Sequence, residues 1–237
     1  MKHPLSKEKA VLLKIPKWCL ECNRYITSLQ TSQSPFLCKY CYNQLPAIND
    51  RICLKCGGYH NAVNCRIEWA KNIVDFSAVF PYEDPVNHWI SSFKYSRNII
   101  YGRLLRNFVT NWFETSLEKL THVDILTPVP MHFSNLNSRG FNQTSFLIAR
   151  QKRLKSFDSV LKKRNRTTQL AGKSKQERQG ILKNVFTVKE GIKGKNILLF
   201  DDVCTTGQTL SEISNMLNIA GANRVDCLVL CRSMRFN

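Results

Sequence analysis

No stretch of this 237-residue chain is long and apolar enough to cross a bilayer, and its longest N-terminal apolar run, Ala10 to Leu13, is too short for the core of a signal peptide. A cytoplasmic protein with no membrane insertion is therefore expected. Acidic side chains are also scarce, 17 against 35 lysines and arginines, which leaves a formal charge of +18 and a pI of about 9.7. So large an excess favours a polyanionic partner, nucleic acid first and an acidic membrane surface second. The second lacks support, because nothing in the sequence reads as a basic amphipathic helix with a clean apolar face. Length excludes two full-size domains and leaves room for one medium α/β domain with a small appendage.

Cysteine, in contrast, is plentiful. Seven of the ten cysteines lie between Cys19 and Cys65. In a reducing compartment, Cys-x-x-Cys pairs hold metal more often than they form disulfides. Cys19 and Cys22, then Cys38 and Cys41 after fifteen intervening residues, have the spacing of a structural Zn2+ site closed by four thiolates, with free thiols in a small core as the alternative. Cys53 and Cys56 begin a second pattern, to which Cys65 adds a third ligand, but Glu68 stands where a fourth cysteine is expected. Either Glu68 or His60 completes that site or it has decayed, and the pairs could also exchange partners. The expected organisation is a basic arm over residues 1–17, a zinc-binding module over 18–70 and a larger domain over 73–237. Lys2, Lys7, Lys9, Lys14 and Lys17 give the arm its charge.

The stretch with most chemical content is ILLFDDVCTTGQTL, residues 197–210. Ile197 to Phe200 read as a strand buried on both faces, with Asp201 and Asp202 at its carboxyl end. Thr205, Thr206 and Gly207 then form a polar turn before a helix that starts near Gln208 and Thr209. Such a turn aims backbone N–H groups and the positive end of a helix dipole at one point, which suits a phosphate. The two acids beside an anion site are explained by a ligand that carries vicinal hydroxyls as well as a phosphate, with a divalent cation nearby.

This string closely resembles the phosphoribosyl pyrophosphate (PRPP) motif of type I phosphoribosyltransferases. The resemblance implies that Asp201 and Asp202 take the ribose 2- and 3-hydroxyls, that Thr205, Thr206, Gly207, Gln208 and Thr209 surround the 5-phosphate, and that Mg2+ accompanies PRPP. Cys204, inside the turn, is either a space-filler or a thiol activated by the helix terminus.

Around this stretch the chain alternates strands and helices, the signature of a parallel α/β sheet flanked by helices. Residues 73–82 read as its first strand. Val86, Trp89, Ile90 and Phe93 fall at helical spacing, as do Ile100, Leu104, Leu105, Phe108, Val109 and Trp112. Lys94, Tyr95 and Arg97 make a polar junction between these helices and face either a pyrophosphate or solvent. Val123 to Pro130 read as a second buried strand, Asn184 to Val188 and Lys195 to Phe200 as further strands, and Val225 to Cys231 as a last one apolar on both faces, with Cys227 and Cys231 in the core. A helix over Gln208 to Ile219 ends at Gly221.

Arg139 to Gln143, R-G-F-N-Q, precede a helix starting near Asn142. The P-V-P strand end, this motif and the N-terminal cysteines together resemble the ComF family of bacterial competence proteins and its GntX relatives. In such folds the loop after the second strand contacts pyrophosphate, so the resemblance implicates Pro130, Met131 and His132.

Residues 150–183 carry twelve lysines and arginines against Asp158 and Glu177, ten of the eighteen net charges. Lys162, Lys163, Arg164 and Arg166 are the densest part, followed by Lys173 and Lys175. The window lies where phosphoribosyltransferases keep a flexible loop over bound substrate, and these side chains are the expected contacts to DNA phosphates. Aromatic residues are sparse there, with Phe157 alone, so stacking on single-stranded bases would have to recruit Tyr40, Tyr42, Tyr59 or Phe141. The ComF resemblance implies handling of single-stranded DNA in the cytoplasm during natural transformation, alongside a helicase partner. The transferase resemblance implies PRPP-dependent transfer to a nucleobase or related acceptor. No catalytic base can be named from the sequence.

Overall fold

The computed structural model describes residues 18–26, 34–48, 53, 55–58, 65, 67, 70–130, 141–149, 151, 160–163, 186–189 and 191–233. Met131, His132, Arg164, Arg166, Lys173 and Lys175 lie outside them, as do Tyr59, His60 and Glu68. Two compact units are present, Met1–Leu45 and Pro46–Asn237. Cys53, Cys56 and Cys65, which their spacing groups with the first four cysteines, fold with the larger unit.

In the small unit a short helix, α1 (Lys39–Asn43), follows Cys38. Trp18 and Tyr25 form an antiparallel bridge, with their rings edge to face at 5.4 Å.

The larger unit is built on a four-stranded parallel sheet of β1 (Phe76–Pro81), β2 (Ile125–Pro128), β5 (Asn196–Cys204) and β6 (Arg224–Arg232), in the spatial order β1-β6-β5-β2. The middle strands read as apolar on both faces because both are covered. Ile197, Leu199, Val225, Cys227 and Val229 pack with Phe76 and with Leu210, Ile213 and Leu217 of the helix α5 (Gln208–Ile219). The alternating residues Leu198, Phe200, Leu228 and Leu230 are buried as well. Burial of each such side chain contributes about 1.5–3 kcal/mol, which makes β5 and β6 the best-anchored part of the sheet.

Helices α2 (Val86–Tyr95) and α3 (Ile99–Thr115) follow the expected apolar spacing, and Val86, Trp89, Ile90 and Phe93 are all buried. At the ends of α3 the expectation is corrected. Ile100 is 41 % exposed and Trp112 is only half-buried, while Phe113 takes the inward position, edge to face on Trp112. After a 3-10 turn (Leu117–Leu120) comes β2, which ends at Pro128, one residue before a last bond to β5 from Val129 N–H to Phe200 C=O. Helix α4 (Gln143–Ile148) starts where expected, because the Asn142 side chain accepts from Ser145 N–H at 3.4 Å.

A second, two-stranded antiparallel ribbon pairs β3 (Leu161–Lys163) with β4 (Phe186–Val188). Lys162 and Lys163 therefore sit in a ladder, opposite Thr187 and Phe186, and not in a flexible loop. The reason lies next to them: Val160 and Leu161 are buried in the core under α5, which anchors the ribbon. Strand β5 is also longer than its apolar run. The ladder to β6 continues through Asp201↔Val229, Val203↔Cys231 and Cys204↔Arg232, so the acidic pair lies within the strand rather than beyond it.

The amino ends of the strands are clamped by charge. Asp226, 5 % exposed, accepts from His122 at 2.7 Å, from Arg224 Nε at 2.8 and 2.9 Å and from Asp75 N–H at 3.1 Å. Removing one member of such a group strands the others. Asp226→Asn should destabilise the fold by about 2–3 kcal/mol, discounted for the partly exposed Arg224 and His122, and urea unfolding measures it.

Candidate functional site

The carboxyl ends of β2 and β5 lie side by side, with Pro128 paired to Phe200 and Val129 N–H donating to Phe200 C=O at 2.8 Å. This register brings Pro130 beside the acidic pair. The second family motif helps to hold that corner, since Thr144 Oγ1 donates to Asn142 Oδ1 at 2.8 Å and to Val129 C=O at 3.3 Å. Phe141 of the same motif packs against Phe93 and Phe146 at 5.6 and 5.7 Å, so it is part of the aromatic packing between helices rather than a platform for bases. Tyr40, in the small unit, is 66 % exposed.

Asp201 and Asp202 differ in their surroundings. Asp201 accepts from Asp202 N–H at 2.8 Å. Asp202 forms an ion pair with Lys94 Nζ at 2.8 Å, both side chains being about 15 % exposed by their values of 14 % and 16 %. Removal from water and, second, the neighbouring Asp202 charge push the Asp201 carboxyl up to about 7, against the opposing effects of the Asp202 N–H and Lys94. The folded chain thus holds a proton on Asp201 that the unfolded chain has already released. Stability from this group is complete below its ordinary value of 3.8 and is lost as pH rises through about 7. A ligand hydroxyl donates to the ionised carboxylate, so affinity for a vicinal diol should run the other way. With half-ionisation near pH 7, PRPP affinity should rise about fourfold from pH 6.5 to 8, and calorimetric titration with saturating Mg2+ reads that slope.

The turn after β5 is open to solvent, with Thr205, Thr206, Gln208 and Thr209 exposed. Gly207 is buried at φ +77 and caps α5, a backbone setting that suits a residue without Cβ. Its carbonyl accepts the first helical bond, from Ser211 N–H at 2.9 Å. Thr206 Oγ1 receives Gln208 N–H at 3.4 Å. The remaining first-turn N–H groups have no acceptor inside the helix and point at the turn. The chain here can hold a phosphate against backbone donors and a diol against two carboxylates.

Arg232 supports the turn from inside the protein. At 1 % exposure, its Nη1 donates to the Cys204 carbonyl at 3.0 Å, to Cys204 Sγ at 3.2 Å and to the Thr205 carbonyl. The Cys204 thiol is correspondingly inert: burial pushes it up to about 11 despite the nearby guanidinium. Of the two readings of Cys204, the space-filler stands. Cys227 and Cys231 are core residues, as expected. Sequence reasoning missed Arg232, because a cation ending an apolar strand reads as a solvated terminus.

In the small unit, Cys19, Cys22, Cys38 and Cys41 place all four sulfurs within 4.8 Å of one another, with Cys22 and Cys38 at 3.7 Å. A tetrahedral ion with metal–sulfur bonds of about 2.3 Å needs sulfur separations of about 3.8 Å. The donor set therefore fits a thiophilic metal. Burial works against ionisation of Cys19, but the N–H groups of Cys22, Cys38 and Glu21 outweigh it and hold that thiol down at about 7. Cys53, Cys56 and Cys65 form a second group of sulfurs within 4.8 Å.

Residues 146–235 match the phosphoribosyl transferase domain. Over 227 residues the chain is 26% identical to the competence protein ComFC of Streptococcus pneumoniae, covering 90% of this chain and 99% of that one. Competence protein F of Haemophilus influenzae is 26% identical over 225 residues, 91% of this chain and 90% of its own. The DNA utilization protein YhgH of Escherichia coli is 31% identical over 163 residues, 66% of this chain and 71% of its own. With a phosphoribosyltransferase-type parallel sheet, the cysteine cluster before it and these relatives along its length, the chain belongs to the ComF family of competence and DNA-utilization proteins.

Proposed function

We propose that this protein binds single-stranded DNA and handles it in the cytoplasm during natural transformation, on a domain that also binds PRPP or a related ribose phosphate. The observation that carries the reading is the charge. Ten of eighteen net positive charges fall in residues 150–183, an excess that a small sugar-phosphate ligand does not call for. The names of the relatives, competence and DNA utilization, support the same reading. A helicase that feeds or draws the strand would be a partner in this role. No described helix is long and apolar enough to cross a membrane, which is compatible with a cytoplasmic site of action.

In this account Asp201 and Asp202 accept from the ribose hydroxyls, the turn from Thr205 to Thr209 takes the 5-phosphate, and Pro130, Met131 and His132 border the pyrophosphate. Lys94 would exchange its ion pair with Asp202 for the pyrophosphate when the diol arrives. Mg2+ would come with that pyrophosphate, and carboxylate oxygens suit a hard cation. Zn2+ on Cys19, Cys22, Cys38 and Cys41 would close a structural site that folds the small unit.

A second reading, PRPP-dependent transfer to a nucleobase or related acceptor, is favoured by the open turn and the intact acidic pair. The fold would then contribute positioning and charge neutralisation. Retardation of a single-stranded oligonucleotide, with PRPP turnover followed in parallel, separates the two. Retention of DNA that falls steeply with salt supports the first reading; turnover without retardation at low salt overturns it.

A further inference from the structure

Four Trp, Tyr or Phe side chains stand exposed among the described residues, and three of them, Trp18, Tyr25 and Tyr40, lie in the small unit. Trp18 is 57 % exposed, in a unit that has little apolar area to spare. Backbone bonds hold the first two rings in place. Trp18 and Tyr25 face each other across their bridge, and Cys19 N–H donates to Arg24 C=O at 2.7 Å next to them. Their edge-to-face contact occupies one face of one ring, so the pair still offers flat aromatic surface to solvent. Tyr40 is carried on α1 beside Cys41, whose sulfur lies within 4.8 Å of that of Cys19, the neighbour of Trp18. All three rings thus stand on one framework built around the four sulfurs.

Each ring also follows a cation in the chain, as Lys17-Trp18, Arg24-Tyr25 and Lys39-Tyr40. Arg24 and Lys39 are exposed. The fourth exposed ring, Tyr95, follows a lysine as well, but that one, Lys94, is engaged with Asp202. Residues 1–45 carry seven lysines and arginines against Glu8 and Glu21, so the rings lie in a positively charged unit. Flat rings interleaved with cations suit a polyanion with unpaired bases, because phosphates take the cations and any base can stack on a ring. A duplex, whose bases are already stacked on one another, would use the cations alone. The basic window over residues 150–183 has the opposite make-up, twelve lysines and arginines with Phe157 as its one aromatic residue. Charge and stacking surface are therefore divided between different parts of the chain.

We infer that Trp18, Tyr25 and Tyr40 are the base-stacking surface for single-stranded nucleic acid, with Arg24 and Lys39 on the intervening phosphates. The basic window supplies most of the attraction and of its salt dependence, and the small unit supplies the preference for unpaired over paired strands. This assignment rests on the single-stranded DNA reading proposed above and says where on the chain the bases are held.

Fluorescence anisotropy of the full-length protein with a labelled oligothymidylate, over a salt series, tests it. Trp18→Ala and Tyr40→Ala should each weaken binding about tenfold with the salt slope unchanged, since no charge is lost. Trp18→Phe, which keeps a flat ring, should bind as the wild type does. A strand of abasic sites with the same number of phosphates, and a duplex of the same length, should bind the wild type and the alanine variants equally. Wild-type affinity for oligothymidylate in both alanine variants overturns the assignment, and so does an equal loss on the abasic strand or the duplex. Should Trp18→Ala unfold the small unit, Tyr40→Ala carries the test, because that ring lies outside the Trp18–Tyr25 bridge. A wild-type protein that retains no single strand at low salt overturns the DNA reading and this assignment together, whereas retention that survives both substitutions overturns the assignment alone.

Discussion

Exchanging Lys162, Lys163, Arg164 and Arg166 for alanine should abolish retention of single-stranded DNA at physiological salt. Each phosphate that a cation neutralises releases counterions, with a slope of about −0.7 in log affinity against log salt per contact on a single strand. Four lost contacts lower the slope by about 3 and the affinity at 0.1 M salt by about a thousandfold. Lys162 and Lys163 stand on β3, held in register with β4, so their spacing along the strand is set before DNA arrives. That ordering reduces the entropy lost on binding. Fluorescence anisotropy of a labelled oligonucleotide across a salt series measures slope and affinity together. A variant that keeps the wild-type slope would place the DNA elsewhere on the molecule.

Asp201→Ala combined with Asp202→Ala should spare DNA and remove PRPP. Hydrogen bonds to charged groups contribute about 1.5–3 kcal/mol each, so the loss of two predicts a fall of two to four orders of magnitude in PRPP affinity. The sheet itself has little need of these carboxylates. The Asp201 carboxyl is held up near 7 by removal from water, and its deletion relieves that cost at neutral pH. Lys94 loses its partner in the same variant. A long side chain with some access to solvent can turn its ammonium outward, so the melting temperature should stay close to the wild-type value. Calorimetry on the same preparations used for the DNA titrations compares the two functions. If the double variant lost both ligands, the two sites could not be separate.

Much of this architecture is written in local pattern. Four apolar residues before Asp201, the turn after Cys204 and the span of α5 could be read directly, because a buried parallel strand and a helix start each leave a short contiguous signal. The spacing of Val86, Trp89, Ile90 and Phe93 is equally local. What could not be read depends on register between distant segments. Arg232 reaches the turn because β5 and β6 pair as far as Cys204↔Arg232, and no property of V-L-C-R announces that partner. Lys94 reaches Asp202 because α2 ends at the carboxyl edge of the sheet, although in sequence it reads as a helix-end charge. The grouping of Cys19, Cys22, Cys38 and Cys41 was legible in their spacing. That Cys53, Cys56 and Cys65 fold with the larger unit, against Phe76 and Arg232, was not, since spacing records ligands and not what their turn leans on.

The central claim is that the turn between β5 and α5 receives a sugar phosphate. Titration of the wild-type protein with PRPP, and then with ribose 5-phosphate in competition, tests it most directly. Saturable binding of one PRPP per chain, displaced by ribose 5-phosphate and strengthened between pH 6.5 and 8, is the result expected from the Asp201 carboxyl near 7. A folded protein that takes up neither ligand at millimolar concentration would contradict it.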